Sequence, residues 1–532
     1  MSSMRRWSVS HWWKRRCGGR DVLRLAVPLV VSTCFWTVMN FTDQMFLLWH
    51  SNTAAAAALP AGLVHFTLLC LPFGLVAYLS TFVAQYDGAG RPQRIGLMLW
   101  QAVWLALAAC PFVLATIPAA PWAFFLLGHE PEVASAETVY FQTLTFGAGG
   151  TLLSTALAAF FIGLGRTGIV MAVEGVACAL NVALDYAWIF GRWGLPAWGI
   201  EGAAWATVVA QWSAVAVYGL VLRRASYRRT YKLAAGCRLD SAMMARLLRF
   251  GAPNGIQSLL ETVGFTLLIL VVGRLGEQAL VATNLAFNIN YLVWLPIGGL
   301  GTAAATIVGQ QLGRGEPDLA ARATWTAFLI GLAYAGSLAA MYILVPDLFL
   351  LAHSRGMSPE RFATLRATTV LLLQFVAAYS LFDAMSLIFA SAIKGAGDTR
   401  FVLTTALVLS PLPVAASWLG IHCFDAGLVW CWSAVTIGAC LLGIIFLTRF
   451  VQGRWRQMRV IETAAPGSSA SIQPRPVARA KRANNRAVNA TPAVAWIPAG
   501  RHAAVEQDEH EVIGARADRK TRISHREYAG VP

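Results

Sequence analysis

Residues 82–92 read FVAQYDGAGRP and residues 307–317 read IVGQQLGRGEP. Gln85, Gly88, Gly90 and Pro92 of the first stretch recur as Gln310, Gly313, Gly315 and Pro317 of the second, each 225 residues later. LRLAVP at 23–28 meets LRFGAP at 248–253 at the same offset, and GLGRT at 163–167 faces GAGDT at 395–399 with the offset lengthened to 232. The chain is therefore two copies of one unit. The matched Gly and Pro are read as tight turns and kinks, which shape the backbone without carrying chemistry.

Composition says what that unit is made of. The 532 residues are 57% hydrophobic and only 13% charged, whereas soluble domains carry about 25% charged residues. A hydrocarbon core of about 30 Å needs about 20 helical residues to cross it. Twelve apolar stretches are long enough, at approximately 22–49, 54–85, 94–118, 133–163, 167–190, 199–222, 246–272, 279–312, 319–345, 362–393, 401–421 and 426–450. The short run WAFFLL at 122–127 is left as a candidate for the membrane surface. Six spans per copy is an even number, so both copies enter from the same side. The predicted fold is an all-α polytopic membrane protein, with twelve transmembrane helices in two parallel-repeat six-helix lobes.

Charge sets the expected orientation, because Lys- and Arg-rich short loops stay on the cytoplasmic side. The basic N-terminus (1–21), the basic linker (223–245) and the loops holding Arg91, Arg94, Arg166, Arg314, Arg322, Lys394 and Arg400 fall on one side. Arg192, Arg274, Arg355, Arg361 and Arg366 fall on the other. Both termini are thus expected in the cytoplasm of a plasma or inner membrane, flanking an N-lobe (22–222) and a C-lobe (246–450). The net charge of +16 then serves topology and anionic lipid, and a nucleic-acid partner is not expected. The first span is too long for a signal-peptide core and is read as retained. Nine scattered Cys without ligand spacing indicate neither disulfides nor a metal site. The Ala-, Pro- and Arg-rich stretch 451–532 has no apolar face and no counterpart in the repeat. It is expected to be a disordered cytoplasmic tail, dispensable for transport.

Ionisable groups at bilayer depth are costly and point to function. Four carboxylates stand out: Asp43, Asp185, Glu261 and Asp383. Helical rise puts Asp43 and Asp185 level with each other, each about 28 Å from the nearest inner cation. By the same rule Glu261 and Asp383 lie level with one another about one layer deeper, near mid-membrane. Asn40 precedes Asp43 by three residues and Asn181 precedes Asp185 by four, so each acid is expected to have an amide on its own face. Carboxylate and amide oxygens suit a shared proton or a hard cation such as Na+. The alternative is that the carboxylates are static clamps between helices. Glu174 and Glu201 are weaker candidates.

The paired Q-x-x-G-x-G loops, Asp43, the N-x-x-x-D of the fifth span and the run FDAMSLIFASAIKGAGDT at 382–399 together resemble the multidrug and toxic compound extrusion (MATE) family. That resemblance covers roughly 20–450. It implies a V-shaped pair of lobes and export of amphipathic, often cationic compounds in exchange for Na+ or H+, with no cofactor. It implies a cation site at Asp43, Asn181 and Asp185. Glu261, Tyr379 and Asp383 match acidic and aromatic positions used in one branch of the family. Where many relatives have Pro after the fifth-span Asp, this chain has Tyr186. Trp36, Tyr291, Trp294 and Tyr379 are candidates to stack on flat cationic substrates, although most Trp in such proteins sit in interfacial belts. A monomer in the lipid bilayer is expected. A flippase for lipid-linked saccharides is the alternative function, disfavoured because intramembrane Arg is nearly absent. A membrane enzyme would need a His cluster, and His65 is alone well inside a predicted span.

Overall fold

The computed structural model describes residues 9–126, 128–350 and 359–462. Residues 1–8, Arg355 and the tail beyond residue 462 lie outside that description. Among the described residues eleven helices are long and apolar enough to cross a membrane, and a bent pair makes twelve if counted as one span. We number them α1 (Gly19–His50), α2 (Asn52–Gly88), α3 (Pro92–Leu126), α4 (Pro131–Phe146 and Ala148–Gly163), α5 (Thr167–Phe190) and α6 (Ile200–Leu222). The second copy gives α7 (Ser241–Gly273), α8 (Glu277–Arg314), α9 (Pro317–Leu344), α10 (Pro359–Ala396), α11 (Thr399–Phe424) and α12 (Leu428–Val451). Residues 122–126 of the WAFFLL run end α3, with Phe124 buried and Trp122 and Phe125 exposed. α5 continues through Tyr186 without a break.

Local chemistry sets the ends. Ser51 accepts from the Ala54 amide to start α2, and Asp240 accepts from the Met243 amide at 3.0 Å to start α7. Pro92 and Pro317 open α3 and α9, where a missing N–H costs nothing. The matched glycines Gly90, Gly315, Gly165 and Gly397 all have positive φ, between 68° and 115°, so these turns need glycine. α4 bends by 45° at Gly147.

The packing follows the repeat. α1 on α5 is matched by α7 on α11, α2 on α4 by α8 on α10, and α4 on α6 by α10 on α12. Between lobes, α1 packs on α8 and α2 on α7, which exchange under the same relation. Aliphatic and aromatic side chains fill a large core centred on each lobe, with Met243 and Leu247 of α7 joining the N-lobe core and Val22 and Ala26 of α1 the C-lobe core.

The linker and the segment after α12 carry structure of their own. The linker folds onto the N-lobe, burying Tyr227, Tyr231 and Leu233, with Trp100 Nε1 donating to the Leu233 carbonyl at 2.8 Å. The segment from Gly453 to Glu462 also packs, against the expectation for 451–532. Trp455 is buried against Phe450, with ring centroids 4.7 Å apart, and Val460 and Ile461 are buried too. The physical reason is the apolar content of RWRQMRVIE: Trp455 joins a core with Phe389, Phe446 and Phe450, and Val460 and Ile461 join the N-lobe core.

Candidate functional site

The matched glutamines lie where the lobes meet at the basic end. Gln85 Nε2 donates to the Gly395 and Ala396 carbonyls at 3.0 and 3.3 Å, while Gln310 Nε2 donates to the Gly163 carbonyl at 3.0 Å. Each copy of the first motif thus bonds the second motif of the other copy. A Cβ on Gly88 would sit 2.0 Å from the Gln310 carbonyl oxygen, and one on Gly313 would sit 2.2 Å from that of Gln85. Those two glycines therefore admit a close helix crossing, which corrects their reading as turns. Nearer mid-membrane, Asn254 donates to the Gly74 carbonyl at 2.6 Å and Cys70 meets Thr262 at 3.3 Å.

The post-α12 segment reinforces this seal. Val460 N donates to Gln85 Oε1 at 2.9 Å. Glu462 accepts from Tyr86 at 2.7 Å, contacts Arg94 at 3.4 Å, and is paired with Arg246 at the start of α7. Burial pushes the Glu462 carboxyl up, but its hydrogen bonds and the Arg246 and Arg94 charges outweigh that and hold it below the ordinary carboxylate range.

Toward the other end, α1, α4, α5 and α6 converge on a polar cluster. Asp43, Asn181 and Asp185 are all buried. The Asp43 and Asp185 carboxyls are adjacent. Thr207 of α6 donates to Asp43 Oδ2 and receives from Asn181 Nδ2, both at 3.4 Å. Tyr140 of α4 is buried within electrostatic reach of both acids. Four shielded oxygens of the cluster have no hydrogen-bond partner among the described residues: Asp43 Oδ1, Asn181 Oδ1 and both Asp185 oxygens. Buried oxygens in native proteins are normally satisfied. An all-oxygen set of this kind accepts a proton or a hard monovalent cation. Thr207 and Tyr140 were not singled out from sequence, because neither residue type is unusual in a span.

Asn40 is not part of the cluster. It is exposed and its amide donates to the Trp36 carbonyl at 2.8 Å. Three-residue spacing leaves it only about 60° around the helix from Asp43, but bonding to its own backbone competes with tertiary contacts.

The C-lobe carboxylates are arranged differently. Glu261 is exposed and accepts from Gln257 Nε2 at 2.7 Å. It lines a cavity of about 90 Å³ with Gln257, Ser386, Ser391, Lys394 and Ser410. Asp383 lies within electrostatic reach of Glu261 but does not line that cavity. The two thus differ in setting, one lining the cavity and the other outside its lining. Lys394, expected in an inner loop, enters the cavity because helical side chains slant toward the N-terminus and so reach a turn deeper than their Cα. Tyr379 is only 4% exposed, so its ring is packing rather than a surface for a bound aromatic. Trp36, Tyr291 and Trp294 are 49%, 47% and 43% exposed, and the last two meet edge to face.

Comparison with known proteins shows the family. The profile of the MatE family matches residues 28–187 and 253–419. A protein named probable multidrug resistance protein NorM, from Bradyrhizobium diazoefficiens, is 29% identical over 441 residues, covering 81% of this chain and 92% of that one. Multidrug resistance protein MdtK of Yersinia pseudotuberculosis is 27% identical over 446 residues, covering 82% and 95%. Among solved structures, an outward-facing multidrug resistance MATE family transporter of the MOP superfamily gives a TM-score of 0.73 at 19% identity, covering 84% of this chain and 98% of that one. A MOP superfamily transporter from Pyrococcus furiosus gives 0.74 at 18%, with the same coverage. With both halves matched in order, this chain belongs to the MatE family of multi-pass membrane transporters.

Proposed function

We propose that the protein is a secondary antiporter that exports amphipathic or cationic small molecules in exchange for H+ or Na+, with the Asp43–Asn181–Asp185 cluster as the coupling site. The observation that carries this reading is the set of four buried, partnerless oxygens on those three side chains. The names of the NorM and MdtK relatives support the substrate class.

With the basic end in the cytoplasm, the sealed lobes correspond to an outward-facing state. An external cation reaching the cluster bridges oxygens on α1 and α5 and changes how those helices pack. Because α1 also packs on α8, that change reaches the other lobe and weakens the hold on the drug, which leaves outward. Return requires the basic-end bonds to break, after which the cation leaves inward and cytoplasmic drug binds. One inward charge supplies about 2.3 kcal/mol per 100 mV. Exposed Trp36, Tyr291 and Trp294 supply aromatic faces for the drug.

Drug uptake into inside-out vesicles under an imposed pH gradient, and separately under an imposed Na+ gradient, tests this reading. One gradient is expected to drive accumulation. Equal uptake without either would remove the coupling function.

A further inference from the structure

A third buried acid in the N-lobe lies outside the cluster. Glu137 is on α4, six residues in from the end opposite the basic loops, or about 9 Å along the helix. It is fully buried. Its Oε1 is 2.8 Å from His129 Nδ1, and its Oε2 is shielded and without a hydrogen-bond partner. The His129 side chain is 38% exposed, at the surface between α3 and α4. The pair thus runs from solvent to a dry carboxyl.

Tyr140 follows Glu137 by three residues, so the two share a face of α4 with Cβ atoms about 5–6 Å apart. Tyr140 in turn lies within electrostatic reach of Asp43 and Asp185. Around them, α2 contributes His65, buried with Nδ1 unpartnered and its ring against Phe141. α6 contributes Glu201, exposed and bonded to Trp205 at 3.3 Å. Glu130 and Glu132 beside His129 are exposed. A carboxylate held only by the loop histidine is an expensive way to fix a loop, since one of its oxygens stays desolvated and unbonded.

We propose that His129 and Glu137 form the proton inlet of the coupling site. External water protonates the outward nitrogen of His129. The Nδ1 proton passes to Glu137 Oε1, converting imidazolium and carboxylate to neutral imidazole and carboxylic acid. Rotation of the Glu137 side chain carries the O–H toward Tyr140. The Tyr140 hydroxyl takes that proton as it gives its own to the Asp43–Asp185 pair, and Glu137 returns to a carboxylate. No charge is created beyond the one proton carried.

This inference rests on the cation-coupled reading and on protons as the coupling ion. The test uses the full chain in proteoliposomes, with drug exchange driven by an imposed pH gradient. Glu137→Gln and His129→Ala are each expected to slow exchange about a hundredfold, the lower range for a positioned proton-transfer group, with drug binding unchanged. Imidazole added on the His129 side is expected to restore His129→Ala but not Glu137→Gln. Glu137→Asp, which keeps the carboxyl, is expected to retain partial rate. Normal rates in the variants, or slow rates that imidazole leaves unchanged in His129→Ala, would reduce the pair to a loop clamp. Exchange by the wild type against Na+ alone would overturn the inlet while leaving the antiporter intact, and absence of any gradient-driven exchange in the wild type would overturn both.

Discussion

Buried polar groups occur at two levels of this protein, and they are treated in opposite ways. At the basic end Gln85 is fully buried and both ends of its amide are bonded, to Gly395, Ala396 and Val460. Toward the other end Asp185 is equally buried and neither of its oxygens has a hydrogen-bond partner. Satisfied groups fix a geometry, while unsatisfied ones leave room for a ligand. The contrast separates the part that holds the lobes together from the part that answers to an ion.

The largest expected effect comes from removing the unsatisfied acids. Asp185→Asn and Asp43→Asn are each expected to abolish gradient-driven export in proteoliposomes while the protein still inserts and folds. Loss of one coupled charge removes about 2.3 kcal/mol per 100 mV, about fiftyfold in the drug gradient. Full coupling in both variants would make the cluster a helix seam and erase the contrast.

Breaking the satisfied level comes next. Gln85→Ala leaves two carbonyls and one amide without partners, at about 1–3 kcal/mol for each buried group orphaned. Labelling of a cysteine placed at Ala84, in a cysteine-free background, is expected to rise at least about tenfold from the basic side. Gln310→Ala breaks only the bond to Gly163 and is expected to raise it less. The reverse order would mean that the tail segment contributes nothing to closure.

A smaller effect is expected at Glu462. Its carboxyl is held below the ordinary range, so its contribution to the closed lobes is fully present above the unfolded value of about 4.3. That contribution is lost as pH falls through the lower folded value. Glu462→Gln is expected to raise Ala84Cys labelling a few-fold at pH 7 and to flatten its acid dependence. An unchanged acid profile would assign the dependence elsewhere.

The smallest is Glu261→Gln. Glu261 already has Gln257 as a partner and Lys394 in its cavity, so drug export is expected to change by no more than about threefold, as at sites where little is lost. Lys394→Met sharpens the point. With the ammonium gone, Na+ is expected to stabilise the purified protein more than it does the wild type in a melting assay, and no difference would show that Lys394 does not shield Glu261.

Much of this was legible in the chain. The spans are set by apolar length, which does not depend on tertiary contacts, and the repeat is visible as matched letters. Asp43 and Asp185 are conspicuous because charge at that depth is rare. Glu137 was equally available, lying inside a predicted span, but it was not singled out. Asn40 shows the limit of spacing arguments, since a side chain on roughly the right helix can still bond its own backbone. Lys394 was assigned by position in the sequence, where the slant of helical side chains decides. The Gly453–Glu462 segment was hidden by averaging: Trp455, Val460 and Ile461 are apolar, but they stand among arginines and ahead of a long polar stretch.

The crossed glutamine bonds have an implication for ancestry. Gln85 reaches the second motif of the later copy and Gln310 reaches the second motif of the earlier one, so neither bond is made within a single copy. Two separate molecules of one six-helix ancestor, related by a two-fold axis, would already possess both donors and both acceptors. Fusion of the two genes would then have needed no new contact to close the pore, only a linker.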